Sequence, residues 1–591
     1  MWERRGDETK SYGGWRSRID ATADGHPVDT LRSLVVRRTE TPLELVDRPQ
    51  VVQNHQNTGV TDNGPQGSGP HRFAGRLPTP VMTVWLLGDQ LHPAHHVLDD
   101  ADRVLLIEAT GFADRRPYHP QKLGLLFAAM RHARDRLREA GYAVDYRRAD
   151  TFGDALDDHF DARPGDDVCL MRPPSHGAAE RLRELVESRG GSLTLVDDDR
   201  FLCSPDAFDD WHGGGEASGT SRDDGKAADT FRHENFYRFM RRREDVLLVG
   251  GDPVGGAWNF DEANRETPPA DWSPPPVPRF EPDELTRETL DWVDERFETW
   301  GEREGFAWPV TRGEALAALD HFVTHRLPAF GPYQDAMLGD EWALAHSLLS
   351  SSLNLGLLGP REVIDAAVDA WERDDAPIES VEGFVRQVLG WREFVRHVYR
   401  RTMPTLTEGD LLDRSRDLPP LYYDGETRMR CLDEAVSHVY DRGYAHHIER
   451  LMVLSNFATL YGADPHELNE WFHFGFVDAY HWVTAPNVLG MGTFATDAFT
   501  SKPYVSSGNY VDRMSDHCAD CPYDVDATTG EGACPFNALY WDFLDTHEET
   551  LRGTGRMGLM YSHVDRKGEA EWDAIRERAA TLRERAADGT L

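Results

Sequence analysis

Four of the six cysteines are placed where they can serve as ligands of a metal centre. Cys518 and Cys521 form a CxxC motif, whose turn lets two thiolates face one centre, and Cys534 and Cys431 complete the set. A proline directly follows Cys521 and Cys534 and stiffens the loop. At this spacing the four thiolates suit a tetrahedral Zn²⁺ ion and an iron–sulfur cluster equally well. Unliganded structural cysteines are the third interpretation.

Two adjacent histidines, His446 and His447, are candidates for acid–base chemistry. The stretch from Ala445 to Tyr461 has a helical pattern, so their side chains should point about 100° apart. At most one of them then faces a given pocket. Histidine suits proton donation because its ordinary pKa lies near neutrality. The alternative is that both are ordinary helix residues.

Serine hydroxyls offer hydrogen bonds to phosphate. Ser347 and Ser350 lie in a segment of small residues near a predicted helix start, where a diphosphate is readily bound. A serine-rich helix that packs closely would explain the same residues without a ligand. Trp391 lies on an amphipathic helix, where a lone tryptophan is usually a core residue.

The composition indicates a folded, strongly acidic protein. The chain has 591 residues, a hydrophobic fraction of 39% and a net charge of −39, with almost all positive charge on arginine. Such a surface stays soluble by self-repulsion, and we interpret it as adaptation to a salty cytoplasm, with an ordinary acidic protein as the alternative. The charge argues against general nucleic-acid affinity. It leaves room for a local arginine-lined groove, because high salt screens remote charges.

We expect a cytoplasmic protein without a membrane anchor. The sequence has no apolar run of about 18 residues and no apolar segment of a secretory signal near Met1. Clustered cysteines in a cytosolic chain favour a metal or cluster site over disulfides.

The chain divides into four predicted parts. Residues 1–80 are polar and turn-forming and are predicted to be a disordered extension. In residues 81–210 apolar strands alternate with helices, which predicts a doubly wound parallel α/β domain, although no GxGxxG fingerprint follows the first strand. Residues 211–310 contain a flexible loop and a proline-rich passage and are predicted to be an interdomain linker. Residues 311–591 are predicted to be all-helical.

Several motifs in the helical part carry a family resemblance. The segments FGPYQDAM (330–337), HSLLSSSLNLGLLGP (346–360) and RQVLGWREFVRHVYR (386–400) resemble the flavin-binding domain of photolyases and cryptochromes. The later segments YAHHIERLMVLSNFATL, WFHFGFVDAYHWVTAPNVLGM and KPYVSSGNYVDRMSDHCADC resemble the iron–sulfur bacterial branch, which includes the prokaryotic (6-4) photolyases. The resemblance covers residues 82–545.

The resemblance implies two cofactors in the helical domain. The four cysteines would hold a 4Fe-4S cluster, which favours the cluster over zinc. FAD would be held by residues from five segments: Tyr333, Ser347, Leu349, Ser350, Asn354, Arg392, Asp478 and Asn487.

The resemblance also implies a DNA lesion pocket. Gln387 and Trp391 would face the lesion, and glutamine at that position resembles the (6-4) branch, whereas cyclobutane-dimer photolyases tend to carry glutamate. His447, favoured over His446, would donate the proton. UV-damaged DNA is then the expected partner of a monomeric protein, with the lesion flipped into the pocket. The positive charges available to its phosphates are Arg396, Arg400, Arg401, Arg428, Arg430 and Lys502.

In the α/β domain, GDQL (88–91), Glu108 and YHPQK (118–122) resemble the antenna domain of the same branch. The implied antenna chromophore is 6,7-dimethyl-8-ribityllumazine, with Glu108 as a contact.

The sequence departs from the family pattern at two aromatic positions. Tyr423 stands where tryptophan is typical, and Phe472 where tyrosine is frequent. Tyrosine and phenylalanine are harder to oxidise, so the route that photoreduces the flavin is expected to differ. Trp391, Trp471 and Trp482 are candidate replacements.

Three functions follow from these observations. The first is light-dependent repair of (6-4) photoproducts, supported by Gln387 and the histidine pair. The second is a cryptochrome-type photoreceptor without repair activity, which the altered aromatic positions allow. The third is a cluster-containing nucleic-acid protein without photochemistry, since the cluster region of primases is similar to this branch.

Overall fold

The structure is a computed structural model that describes residues 82–213, 231–500, 502–554 and 557–591. The predicted disordered extension, residues 1–80, lies outside the described residues. Most of the predicted flexible loop between the two folded parts does so as well.

A five-stranded parallel sheet forms the first domain. Its strands are β1 (Met82–Leu86), β2 (Arg103–Ala109), β3 (Ala143–Ala149), β4 (Asp167–Met171) and β5 (Ser192–Val196), in the order β3-β2-β1-β4-β5. In the centre, Val84 pairs with Val104 on one side and with Cys169 on the other. Strand order and direction confirm the predicted doubly wound α/β domain.

Helices cover both faces of the sheet because its central strands are apolar on both sides. Alternate residues point to opposite faces, so Val84 and Trp85 enter different cores. Three helices follow the strands: α1 (Pro120–Glu139), α2 (Phe152–Ala162) and α3 (Ala178–Glu187). Helix α1 contributes to the core of Val84, and α2 and α3 to that of Trp85.

The stretch predicted to be a linker contains folded helices. Helix α4 (Pro205–Gly213) overlaps its start, α5 (His233–Glu244) and α6 (Glu284–Arg296) lie within it, and a short hairpin pairs β6 (Leu248–Val249) with β7 (Asp252–Pro253). Helix α6 packs closely on α1, where a Cβ at Gly124 would lie 2.3 Å from Leu290.

The rest of the described chain is helical. Its α-helices are α7 (Arg312–His321), α8 (Leu327–Tyr333), α9 (Ser350–Leu355), α10 (Pro360–Glu372), α11 (Ile378–Val385), α12 (Glu393–Thr402), α13 (Leu421–Asp424), α14 (Arg430–Arg442), α15 (Asn456–Tyr461), α16 (Pro465–Gly475), α17 (His481–Ala485), α18 (Gly508–Met514), α19 (Pro535–Thr546), α20 (Glu548–Leu551), α21 (Gly558–Val564) and α22 (Glu569–Ala587). A capping box of Thr311 and Glu314 begins this domain.

Four π-helical segments interrupt the helical domain. They are Phe322–Arg326, Arg386–Arg392, Glu449–Ser455 and Pro486–Gly492. Such segments are rare and frequently mark functional sites. Two of the four carry residues that the sequence assigns to a site: Gln387, Trp391 and Arg392 on one, and Asn487 on the other.

Among the described residues, no helix is both long and apolar enough to span a bilayer.

Candidate active site and cysteine cavity

The four predicted ligand cysteines line one cavity. Cys431 lies in the first turn of α14, and Cys534 is the N-cap of α19. Cys518 lies within a single 3₁₀ turn, His517–Asp520, and Cys521 directly follows that turn. Burial, reinforced by the neighbouring cysteines, raises the pKa of Cys518 and Cys534 to about 12 and that of Cys431 well above its ordinary value. A bound cation would reverse this shift, because it stabilises the thiolates.

The cavity wall is tightly built around Cys534. A Cβ added at Gly508 would lie 2.9 Å from the Cys534 sulfur and 3.2 Å from Val525. On the other side, the Arg578 guanidinium of α22 donates to the carbonyl of Glu531 at 2.8 Å. The C-terminal helix therefore fixes the loop that carries the fourth cysteine.

Asp478 is the centre of a polar cradle in the helical domain. Its carboxylate accepts two hydrogen bonds from the Arg450 guanidinium, both at 3.0 Å, and one from the Ser350 hydroxyl at 2.7 Å. Asn354 donates to the Asp478 carbonyl at 2.9 Å. Burial opposes ionisation, but the Arg450 charge and these hydrogen bonds hold the pKa of Asp478 below its usual value. Three of the predicted flavin residues are thus brought together.

The loop before α9 holds the next predicted flavin residues in a constrained backbone. Leu349 is the N-cap of α9, and its N–H donates to the Ser347 hydroxyl at 3.4 Å. The neighbouring Leu348 has a φ of 58° and Leu344 a φ of 39°, both in the left-handed region that costs a leucine energy. Such a backbone persists only where surrounding contacts hold it.

Arg326 supplies those contacts. Its buried guanidinium donates to the carbonyls of Ala343, Leu344 and His346 at distances of 2.6 to 2.9 Å. Burial lowers the pKa of Arg326 to about 10.

Arg392 and Asn487 lie on different π-helical segments. The Arg392 guanidinium donates to the Arg200 carbonyl at 2.8 Å and lies 4.3 Å from the ring centre of Phe201, so it contacts the α/β domain. Burial lowers the pKa of Arg392 to about 10. Asn487 donates to the Val483 carbonyl at 2.8 Å. Tyr333, the last residue of α8, packs against Trp272 at 4.8 Å between ring centres.

The two adjacent histidines differ in exposure. The His447 side chain is 47% exposed, whereas that of His446 is fully buried. The helix begins at His447, so the predicted start at Ala445 is wrong by two residues, because residues 444–446 have no helical backbone pattern. Nε2 of His447 lies 3.4 Å from an Asp335 oxygen. Only His447 is placed to meet a solute.

Gln387 and Trp391 share the π-helical segment Arg386–Arg392. The Gln387 amide donates to the Gly383 carbonyl at 3.3 Å. The Trp391 ring stacks on His233, with ring centres 3.7 Å apart and planes within 8°. His233 lies in the predicted linker, where no motif of the sequence points to it.

Glu108 lies apart from these residues, buried in the α/β domain. Its carboxylate accepts hydrogen bonds from Arg131 at 2.7 and 3.0 Å and from the Tyr146 hydroxyl, and it pairs with Arg148 at 2.8 Å. Its oxygens are therefore occupied by protein donors.

Lys122 joins the two domains. Its ammonium donates to the carbonyls of His473 at 2.5 Å and Ala479 at 2.7 Å, the latter directly after Asp478. Burial of the amine lowers the pKa of Lys122 to about 7. The signal that could have singled it out is the scarcity of lysine in this chain. Arg450 was missed because its partner Asp478 is distant in sequence.

The altered aromatic positions adjoin a tryptophan pair. The Trp471 ring lies 5.8 Å from Trp300 and 5.2 Å from Tyr422, and the indole N–H of Trp300 donates to the Tyr423 carbonyl at 2.9 Å. Phe472 stacks on Phe476 at 4.8 Å.

Four of the arginines expected to face DNA have hydrogen-bond or ion-pair partners within the protein. Arg396 is buried and donates to the Cys203 carbonyl at 3.2 Å, so the expectation is wrong for this residue. Arg400 and Arg401 both pair with Asp209, and Arg430 pairs with Glu434.

The fold and the site together define a class of protein. A parallel α/β domain followed by a helical domain matches the crystal structure of a bacterial class III photolyase from Agrobacterium tumefaciens, with a TM-score of 0.51 and 18% identity over 88% of this chain and 98% of that chain. This likeness shows the fold.

Sequence comparison gives the family. Residues 84–308 match the family described as deoxyribodipyrimidine photo-lyase-related protein. The chain is 38% identical over 515 residues to a (6-4) photolyase of Agrobacterium fabrum (strain C58 / ATCC 33970), covering 84% of this chain and 98% of that protein. A mimivirus protein of unknown role, R853, is 32% identical over 112 residues, which is 19% of this chain and 85% of that protein. The chain belongs to the (6-4) photolyase family.

Proposed function

We propose that the protein is a monomeric, light-driven (6-4) photolyase that splits pyrimidine–pyrimidone (6-4) photoproducts in UV-damaged DNA. The observation that carries the proposal is the match to a (6-4) photolyase over 98% of that protein's length. The exposed His447 beside the buried polar cradle is consistent with it.

We further propose that FAD binds at the cradle of Asp478. Reduced FAD supplies an electron to the lesion when light is absorbed. The fit rests on polar atoms that lack hydrogen-bond partners among the described residues: the hydroxyls of Ser351 and Ser352 and Nε of Arg392, all buried. A polar ligand would satisfy such atoms. Tyr333, Ser347, Leu349, Ser350, Asn354, Arg392, Asp478 and Asn487 are the proposed contacts.

A 4Fe-4S cluster is the proposed occupant of the cysteine cavity. Its fit rests on the donor set, since Cys431, Cys518, Cys521 and Cys534 all line the one cavity. Four cysteine thiolates around one cavity suit a 4Fe-4S cluster and a tetrahedral Zn²⁺ ion alike. The family resemblance favours the cluster, and metal analysis distinguishes the two.

The antenna proposed for the α/β domain is 6,7-dimethyl-8-ribityllumazine. Because the Glu108 carboxylate is held by Arg131, Arg148 and Tyr146, its contact with a chromophore would add to an existing ion-pair network. Reconstitution with the lumazine tests this. A Glu108→Gln protein that binds it as well as the wild type would remove Glu108 from the site.

At the lesion, we propose that His447 donates a proton while Gln387 and Trp391 contact the damaged bases. Half-exposed His447 reaches solute, whereas His446 packs in the interior. The test is repair of a (6-4)-containing oligonucleotide by purified protein in high salt, under blue light and in the dark. Repair in light alone supports the proposal. A protein that holds FAD and cluster but repairs nothing would instead be a cryptochrome-type photoreceptor.

A further inference from the structure

We propose that His346 is a positioning residue that keeps the proton-donating form of His447 in place. The proposal deepens the function proposed above and rests on it. His346 belongs to the loop held by Arg326, far in sequence from the histidine pair, and nothing in its spacing connects it with them.

Three imidazole rings meet at this point. Ring nitrogens of His346, His446 and His447 all lie within 4.8 Å of one another. The rings of His346 and His446 are stacked, with centres 4.7 Å apart and planes within 13°. Nε2 of His346 lies 3.1 Å from Nδ1 of His447. In stacked rings the nitrogen lone pairs lie in nearly parallel planes, which suits hydrogen bonding to neighbours better than convergence on one metal ion.

The partners of His346 fix its tautomer. Nδ1 of His346 lies 3.3 Å from the Ala343 carbonyl, which can only accept a hydrogen bond, so Nδ1 carries the hydrogen. Burial, with the nearby His447 and Arg326, lowers the pKa of His346 well below its ordinary value, so the ring is neutral. Nε2 of His346 therefore offers a lone pair.

This lone pair determines what His447 does. Nδ1 of His447 must donate to His346, and Nε2 of His447 faces the Asp335 carboxylate at 3.4 Å. Both ring nitrogens thus face acceptors, and a ring with a hydrogen on each nitrogen satisfies both of them. In the step, the Nε2–H bond of His447 breaks and its proton passes to the acceptor atom of the lesion. A neutral ring remains, still donating from Nδ1 to His346, and the exposed Nε2 regains a proton from water.

Other titratable groups surround this chain of rings. Asp335 lies on the solvent side, and its charge adds to burial in raising the pKa of Tyr510 to about 12. On the inner side, Glu449 lies 3.7 Å from His446 and 3.0 Å from His438. Arg326 is a buried cation whose charge adds to burial in lowering the pKa of His346. Among the described residues, His346 alone accepts a hydrogen bond from Nδ1 of His447.

The experiment compares His346→Leu with His346→Gln. Leucine removes the acceptor, whereas the glutamine amide oxygen can replace it near the position of Nε2. In His346→Leu, the repair yield in light should fall about tenfold, because a hydrogen bond to the proton donor is lost. His346→Gln should restore most of the wild-type yield. FAD content and affinity for damaged DNA should remain unchanged in both.

A second readout is independent of repair. The ¹⁵N spectrum of histidine-labelled protein, assigned with His447→Ala, should show a hydrogen on Nδ1 of His447 in the wild type and lose this preference in His346→Leu. A His447 ring without hydrogen on Nδ1 in the wild type would overturn the proposal. So would a His346→Leu protein whose repair yield and ¹⁵N shifts match the wild type. If the wild type itself repaired nothing, the proposed function would be overturned. The ¹⁵N measurement of the His447 tautomer would still be valid.

Discussion

Arg450 and Asp478 form a two-pronged ion pair in the interior of the helical domain, with both nitrogen–oxygen distances at 3.0 Å. The side chain of Asp478 is 7% exposed and that of Arg450 24%. The Ser350 hydroxyl also donates to this carboxylate. Asp478 therefore connects the serine segment with the helix after the histidine pair, and the next residue, Ala479, accepts a hydrogen bond from Lys122. This pair organises the proposed flavin site.

Removing the Arg450 guanidinium should leave the buried Asp478 carboxylate without a compensating charge. Arg450→Met is expected to lower the free energy of unfolding by about 3–5 kcal/mol, since breaking a buried pair costs far more than the pair contributes. It should also reduce the flavin that copurifies. Arg552→Met breaks an exposed pair with Asp565 and serves as the matched control, with little change expected. Denaturant unfolding measures both, and equal stability of the two variants would contradict the role of Arg450.

Loss of one cysteine ligand should remove the cluster. Cys431→Ser is expected to lose iron and the broad visible absorption of the cluster and to become poorly soluble, because the cavity joins α14, α18 and α19. Cys203→Ala, a buried cysteine elsewhere, should keep both. Metal analysis distinguishes the two. A soluble, flavin-replete Cys431→Ser protein would show that the centre is not structural, and zinc in place of iron in the wild type would refute the cluster.

Adding a single methyl group beside the cysteine cavity should also reduce the iron content of the protein. Gly508→Ala places a Cβ 2.9 Å from the Cys534 sulfur, and the surrounding Val525 and Asn537 leave it little room. We expect a loss of about 1–3 kcal/mol in stability, typical of overpacking, together with reduced iron content. Gly558→Ala is the control, because a Cβ there meets nothing within 4 Å. If Gly508→Ala kept as much iron as Gly558→Ala, the cavity would have room for the added Cβ.

Stability should depend on pH through Lys122. Its pKa is about 7 in the folded protein against an ordinary 10.5, so the unfolded chain binds the extra proton between these values. The contribution of Lys122 to the free energy of unfolding therefore rises with pH across this window, by up to about 1.4 kcal/mol per pH unit, and is least favourable below pH 7. Lys122→Met should remove that slope, whereas Lys567→Met should keep it. Parallel slopes for wild type and Lys122→Met, from urea unfolding at pH 7, 8 and 9, would exclude the effect.

Much of the fold follows from local sequence patterns. The apolar strands around Val84, Val104 and Cys169 predict a buried parallel sheet, because strands that helices cover on both faces are apolar along their whole length. The cysteine cavity is foreseen because the CxxC motif is local. The π-helical segments were not foreseen, since one extra residue per turn hardly changes the apolar periodicity over so short a stretch.

The long-range polar contacts could not be predicted from the sequence either. Arg450 with Asp478, Arg326 with the loop before Ser347, and His346 with His447 all join residues whose separation in the chain carries no periodic signal. Whether a buried charge meets its partner depends on how distant segments pack together, and only the folded structure shows this.

The decisive experiment is light-dependent repair of a (6-4) photoproduct by wild type, His447→Ala and His563→Ala. His563 is an exposed histidine on α21 and controls for loss of a surface imidazole. We expect repair by wild type and His563→Ala under blue light, none in the dark, and a loss of at least about a hundredfold in His447→Ala, the range of general acid catalysis. Undiminished repair by His447→Ala, or no repair by a wild-type protein that holds flavin, would contradict it.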